Sequence, residues 1–101
     1  MDRFREVDPG DLHLPPSRPD GPNAARYQRQ VQRYGGRVKG IPTLEVAEGK
    51  HGAFMINNGV TRAVRVFNLS PGTRVPIEVI DIRPNADFSR LPKVRDVTPP
   101  E

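Results

Sequence analysis

Proline is the residue that most limits how this chain folds, because its ring fixes the backbone φ angle and its nitrogen carries no hydrogen to donate. Twelve of the 101 residues are proline, and five of these fall within the first 22 residues. We therefore expect residues 1–22 to be an extended or turn-like segment. Prolines recur near the carboxyl end, and we expect residues 83–101 to be a loosely ordered tail.

The size and composition of the chain exclude several classes of protein. A chain of 101 residues forms one small domain, and 35% apolar and 6% aromatic residues support a modest core. The absence of cysteine excludes disulfides, cysteine-based zinc sites and a thiol nucleophile. No apolar run is as long as a membrane span, and the charged amino terminus lacks the apolar centre of a signal peptide. We therefore expect a cytoplasmic protein without a membrane partner.

Positive charge is concentrated in the middle of the sequence. The formal net charge is +4, but residues 18–74 contain ten basic and three acidic residues, a net charge of +7. Thirteen of the sixteen basic residues are arginine, whose planar guanidinium group pairs with two phosphate oxygens at once. This segment favours a phosphate-bearing partner. The alternative is an ordinary solvated basic surface.

Apolar spacing and turn residues predict five elements in the order helix, strand, strand, helix, strand. The predicted helices cover residues 24–34 and 60–69, and the predicted strands cover residues 40–46, 53–56 and 75–82. The last strand is apolar on both faces, which indicates an interior position in its sheet. We therefore predict a small α+β domain with a mixed sheet and two main helices.

The first predicted helix carries two different stripes. Tyr27, Val31 and Tyr34 form an apolar stripe, and we expect both tyrosines to be core residues rather than base-stacking platforms. Arg26, Arg29 and Arg33 form a basic stripe. This stripe could bind the backbone of a nucleic acid, and the alternative is a solvated helix face.

The turn before the second helix has the chemistry of an anion site. Free backbone amides and the positive end of the dipole lie at the helix start. Asn58 and Gly59 would shape the loop, Thr61 would donate a hydrogen bond, and Arg62 and Arg65 would bind a phosphate. The alternative is a plain helix start capped by Asn58.

The motifs around this turn resemble those of the ParB/sulfiredoxin superfamily. ParB-type domains carry G-E-R-R and sulfiredoxins carry G-C-H-R at this position, and residues 59–62 read G-V-T-R. Residues 69–79 (LSPGTRVPIEV) are similar to the family's entry into its last strand. Residues 40–46 (GIPTLEV) and 11–18 (DLHLPPSR) are similar to two earlier motifs. The similarity covers residues 8–82.

The resemblance implies a ParB/sulfiredoxin-like fold whose loop binds nucleotide phosphates, with Arg18 also facing the ligand and a nucleoside triphosphate with Mg²⁺ as cofactor. Val60 replaces the sulfiredoxin cysteine, which excludes sulfinic-acid repair. Val60 also replaces the ParB glutamate, which puts metal-assisted nucleotide hydrolysis in doubt. Residues 14–19 and 57–63 also resemble domains at the carboxyl ends of bacterial polymorphic toxins. That likeness implies delivery into a target cell as part of a larger protein.

Two other functions stay open. The enzyme alternative is a nuclease or an NTP-using toxin effector, which needs a carboxylate or histidine near the loop, and His13, Asp20 and Glu78 are the candidates. His13 alternates with Leu12 and Leu14, which indicates a side chain directed to solvent. The third function is a protein-interaction module whose basic face binds an acidic partner such as an immunity protein. We predict no metal site made by the protein itself.

Overall fold

The computed structural model describes residues 3–97. The strands and helices are, in order, β1 (Phe4–Val7), α1 (Ala24–Tyr34), β2 (Leu44–Glu48), β3 (Phe54–Asn58), α2 (Val60–Leu69) and β4 (Val75–Ile82). Short 3-10 turns cover Pro9–Asp11, Lys50–Gly52, Phe88–Arg90 and Val94–Asp96. Within the described range, no helix has the length and apolar character needed to cross a membrane.

The strands form one mixed sheet in the order β1-β4-β2-β3. β4 pairs antiparallel with β1 and parallel with β2, and β3 pairs antiparallel with β2. β4 is therefore an interior strand, as its apolar residues on both faces predicted. The predicted α+β class, with a small mixed sheet and two main helices, is confirmed.

Both helices begin and end where the sequence predicted. The Asn23 side chain accepts the Arg26 amide at 3.1 Å and so caps the start of α1, and Gly35 ends that helix with a φ of 55°. At the start of α2 no side chain caps the helix. Asn58 instead donates its side-chain amide to Glu45 at 3.3 Å, so the free amides of the first turn of α2 have no side-chain acceptor.

The main core combines buried residues of β2, β3, β4 and both helices with Leu12, Leu14 and Val94. In β4, Val75, Ile77 and Val79 are all buried. The α2 helix buries residues 63–66 consecutively, because it packs against α1 and against two of the 3-10 turns.

Residues 12–14 attach the proline-rich amino-terminal segment to the domain. The His13 amide donates to the Phe54 carbonyl at 2.8 Å, and the His13 carbonyl accepts the Ile56 amide at 2.9 Å. The Leu14 amide donates to the Pro92 carbonyl at 2.8 Å. The segment therefore lies between β3 and the carboxyl-terminal residues, and it carries the following proline loop to the end of β3.

The carboxyl-terminal segment differs from the expected loose tail over residues 83–97. Phe88 packs with Ala47 and Met55 in a second small core cluster, and Val94 belongs to the main core. The Lys50 amide donates a hydrogen bond to the Ala86 carbonyl at 2.8 Å. The burial of these apolar side chains offsets the entropy lost by ordering a proline-containing segment. Residues 98–101 of the predicted tail, like residues 1–2 of the predicted extended segment, lie outside the described residues.

We expect Val94→Ala to destabilise the domain by about 1–3 kcal/mol, because it removes two methyl groups from a packed site. Val94 is 1% exposed. Ile82→Ala is the matched control, since Ile82 is 61% exposed and its loss should change stability by about 0.5 kcal/mol or less. Urea unfolding measures both. Equal small effects would mean that this segment does not contribute to the core.

Candidate phosphate-binding site

The turn between β3 and α2 is tightly packed at Gly59. This residue has a φ of 114°, in the region that favours glycine. A Cβ atom at this position would also collide with the side chain of Leu44 in β2. Glycine therefore allows the chain to reverse directly against the sheet, which brings the first turn of α2 to the end of β3.

A cavity of about 250 Å³ lies beside this turn, and we call it the loop cavity. The end of β3, the first turn of α2, the first half of α1 and the proline loop all contribute to its wall. Six residues proposed from the sequence line it: Arg18, Arg26, Asn58, Gly59, Thr61 and Arg62. Five of these were phosphate-binding candidates, and Arg26 came from the basic stripe.

The loop cavity is strongly positive. Three arginines line it, and over residues 3–97 no aspartate, glutamate or histidine does. The side chains of Arg18 and Arg26 make no ion pair or hydrogen bond with another described residue. These two guanidinium groups are therefore available to an anion.

Thr61 places a hydroxyl donor in the wall of the loop cavity. The residue is 8% exposed, and its hydroxyl makes no hydrogen bond to any residue in the described part of the chain. Among the described residues, Asn68 Nδ2 is the only fully buried side-chain polar atom without a partner, so the Thr61 hydroxyl is open to the cavity. It can donate a hydrogen bond to an acceptor bound there.

Arg62 is held at the edge of the loop cavity by the backbone of the segment before β2. Its Nη1 donates to the Pro42 carbonyl at 3.1 Å. Burial lowers the pKa of the Arg62 guanidinium below its usual range, and the nearby Glu45 carboxylate acts in the opposite direction. Glu45 does not line the cavity, so Arg62 keeps donors available for an anion.

Arg65 has a different position from the one predicted, because it does not line the loop cavity. The residue is 1% exposed, and its Nη1 donates to the carbonyls of Gly35 and Arg37, both at 2.8 Å. Its Nε donates to Gln30 at 3.3 Å. Arg65 lies on nearly the same face of α2 as Arg62 but one turn further from the start of the helix, where that face meets α1. Its guanidinium group holds the chain that leaves α1.

The basic stripe of α1 is exposed, as the sequence predicted. Arg26, Arg29 and Arg33 line a shallow cavity of about 520 Å³ that we call the helix groove. Arg26 also lines the loop cavity, so the stripe and the phosphate-binding candidates form one surface. Gln30 lies in the walls of both cavities and was missed. Gln30 follows Arg26 by four residues, and this spacing predicts that both side chains lie on the same face of α1.

The three catalytic candidates lie away from the loop cavity. His13 is 6% exposed rather than directed to solvent, and its Nδ1 lies 2.9 Å from the Leu91 carbonyl oxygen. Asp20 is exposed and lies outside the wall of the loop cavity. The Glu78 carboxylate forms an ion pair with Arg3 at 3.0 Å. Among residues 3–97, no cluster of three or more histidines and carboxylates could hold a metal ion.

Comparison with known proteins gives no match to this chain among family models, curated proteins or solved structures. The resemblance to the ParB/sulfiredoxin superfamily therefore rests on the sequence motifs alone.

Proposed function

We propose that this domain binds a phosphate-bearing ligand, either a nucleotide or the backbone of a nucleic acid, in the loop cavity. The observation that carries the proposal is the wall of the cavity. It combines three arginines and a threonine hydroxyl that is open to the cavity with no carboxylate among the described residues. The first turn of α2 adds backbone amides without side-chain caps.

The parts of the cavity suit the charge and shape of a phosphate group. Arginine donates to two phosphate oxygens at once, and the Thr61 hydroxyl adds a neutral donor. The start of α2 supplies the positive end of the helix dipole. Gly59 lets the backbone come close to the ligand. An anion in this position would have donors from three separate segments of the chain.

The resemblance to the ParB/sulfiredoxin superfamily supports a nucleotide as one source of the phosphate. A nucleoside triphosphate would bring its own Mg²⁺, because no carboxylate of the described residues lines the cavity to hold the metal. We propose that binding takes place in the cytoplasm, where nucleotides and nucleic acids are plentiful. The basic stripe of α1 supports a nucleic-acid backbone as the second source.

We propose binding without a catalytic step. His13, Asp20 and Glu78 do not line the loop cavity, so none of them is in position to transfer a proton to or from a ligand bound there. Sulfiredoxin activity is excluded, since the sequence has no cysteine.

An amide NMR titration tests the proposal. ATP, CTP and inorganic phosphate are added separately, the nucleotides with and without Mg²⁺, and a short oligonucleotide forms a further arm. We expect shifts at the amides of Gly59, Thr61 and Arg62. The arms separate nucleotide from nucleic acid as the source of the phosphate. Unchanged amides at all three residues in every arm would contradict the proposal.

Two variants test whether the amide shifts arise from binding in the loop cavity. Arg62→Gln keeps a donor for the Pro42 carbonyl but removes the charge, and Thr61→Val removes the hydroxyl at nearly constant volume. Each substitution should lower the affinity for the ligand by about tenfold, which is typical of the loss of a hydrogen bond to a charged group. Arg90→Gln is the matched control, because Arg90 is exposed and lies outside the wall of the loop cavity. Equal affinities for all three variants would remove the loop cavity as the site.

A further inference from the structure

The loop cavity continues into two other basic cavities around α1. It shares Arg26 and Gln30 with the helix groove. A third cavity of about 720 Å³, which we call the tyrosine cavity, shares Arg62 with the loop cavity and Tyr34 with the helix groove. Seven arginines and one lysine line the three cavities, and no aspartate or glutamate within residues 3–97 does so. They form a continuous path for a polyanion.

Tyr34 lies on this path and is not the core residue that the sequence predicted. Tyr34 is 38% exposed, whereas Tyr27, two turns earlier on the same face of α1, is buried. The guanidinium carbon of Arg65 lies 5.2 Å from the centre of the Tyr34 ring, and that of Arg33 lies 5.4 Å from it. Because Arg65 is itself buried and hydrogen-bonded, it holds the ring in place. The result is a partly exposed aromatic ring held among cations.

The tyrosine cavity has the dimensions and the wall of a site for a planar group. Ile41 and Pro42 add apolar surface beside the ring, and 720 Å³ is more space than a phosphate group requires. In single-stranded nucleic acids the bases are free to stack on aromatic side chains while arginines follow the phosphates. In a duplex the faces of the bases are covered by their neighbours.

We propose that the domain binds single-stranded nucleic acid, with backbone phosphates in the loop cavity and the helix groove and one base stacked on Tyr34. The inference rests on the proposed function, because the phosphates occupy the loop cavity. Arg62 lies in the walls of both the loop cavity and the tyrosine cavity, so it would bind the phosphate next to the stacked base. Tyr34 is then the residue that distinguishes a strand with bases from a bare polyanion.

Fluorescence anisotropy with labelled oligomers tests the proposed binding of single strands. The oligomers have about twelve residues, a length within the usual range covered by one single-strand binding site. The probes are oligothymidylate, oligouridylate, an abasic oligomer with the same phosphates, a duplex and polyglutamate. We expect both single strands to bind more tightly than the other three probes. Their affinity should fall steeply between about 50 and 200 mM salt, because bound phosphates release counterions.

Substitutions at Tyr34 distinguish the contribution of base stacking to the affinity from the contribution of the positive charges. Tyr34→Ala should lower the affinity for oligothymidylate by about tenfold, which is typical of the loss of one base–aromatic stack. It should not change the affinity for the abasic oligomer. Tyr34→Phe should restore the wild-type affinity, and Tyr34→Leu, which keeps apolar volume without a ring, should not. Thermal unfolding of each variant shows that the domain remains folded.

Several results would overturn the inference. Equal binding of the abasic oligomer and oligothymidylate, tighter binding of the duplex, or tight binding of polyglutamate would each contradict a base-stacking site. If ATP shifts the loop amides but oligothymidylate does not bind, this inference fails and the proposed function stands. If no nucleotide, no oligonucleotide and no inorganic phosphate binds, both fail.

Discussion

Gly59→Ala is expected to destabilise the domain by about 2–5 kcal/mol and to abolish ligand binding at the loop cavity. Two costs combine. A side chain at a φ of 114° costs roughly 1–2 kcal/mol, and the new methyl group collides with Leu44, where overpacking costs about 1–3 kcal/mol more. The strain would move the first turn of α2, which carries Thr61 and Arg62. Urea unfolding and the NMR titration measure the two effects.

Gly72→Ala is the matched control for this prediction. Gly72 also has a positive φ, of 85°, but a Cβ atom there would meet nothing within 4 Å. Gly72→Ala should therefore show only the backbone cost of about 1–2 kcal/mol. A double-mutant cycle with Leu44→Ala should make Gly59→Ala less costly, because the smaller side chain removes the collision. Equal destabilisation by Gly59→Ala and Gly72→Ala would contradict the close packing.

Local signals were sufficient to predict most of the secondary structure. Asn23 and Gly35 mark the two ends of α1 by capping and by positive φ, and neither requires knowledge of the tertiary fold. The apolar residues on both faces of β4 predicted its interior position, which the strand order confirms. The wall of the loop cavity was partly predictable because residues 58–62 are consecutive in sequence, so a local pattern shows them together.

Tertiary contacts decide the features that the sequence did not predict. Residues 12–14 and Val94 look like parts of proline-rich ends, and only their mutual pairing places them in the core. Tyr27 is buried and Tyr34 is exposed, although both belong to one apolar stripe. The role of Arg65 depends on carbonyls more than twenty residues away in the sequence, which no local pattern can show.

Arg65→Met is expected to destabilise the domain by about 3 kcal/mol and to loosen the chain after α1. Methionine fills much of the same volume, but it leaves the carbonyls of Gly35 and Arg37 without their donor, and each lost partner costs about 1–3 kcal/mol. Burial lowers the pKa of the Arg65 guanidinium, and Tyr34 and Tyr27 act in the opposite direction. Amide hydrogen exchange should accelerate at residues 35–41.

Arg33→Met is the matched control, because Arg33 also lies beside the Tyr34 ring, at 5.4 Å, but is exposed. Its loss should cost about 0.5–1 kcal/mol, the usual value of an exposed cation–π contact. Arg65→Lys should fall between the two, since an ammonium group lacks the planar fork that reaches two carbonyls. If Arg65→Met and Arg33→Met cost the same, the hydrogen bonds of Arg65 do not hold the chain. A larger loss for Arg65→Met would mean that the tyrosine cavity depends on this buried cation for its shape.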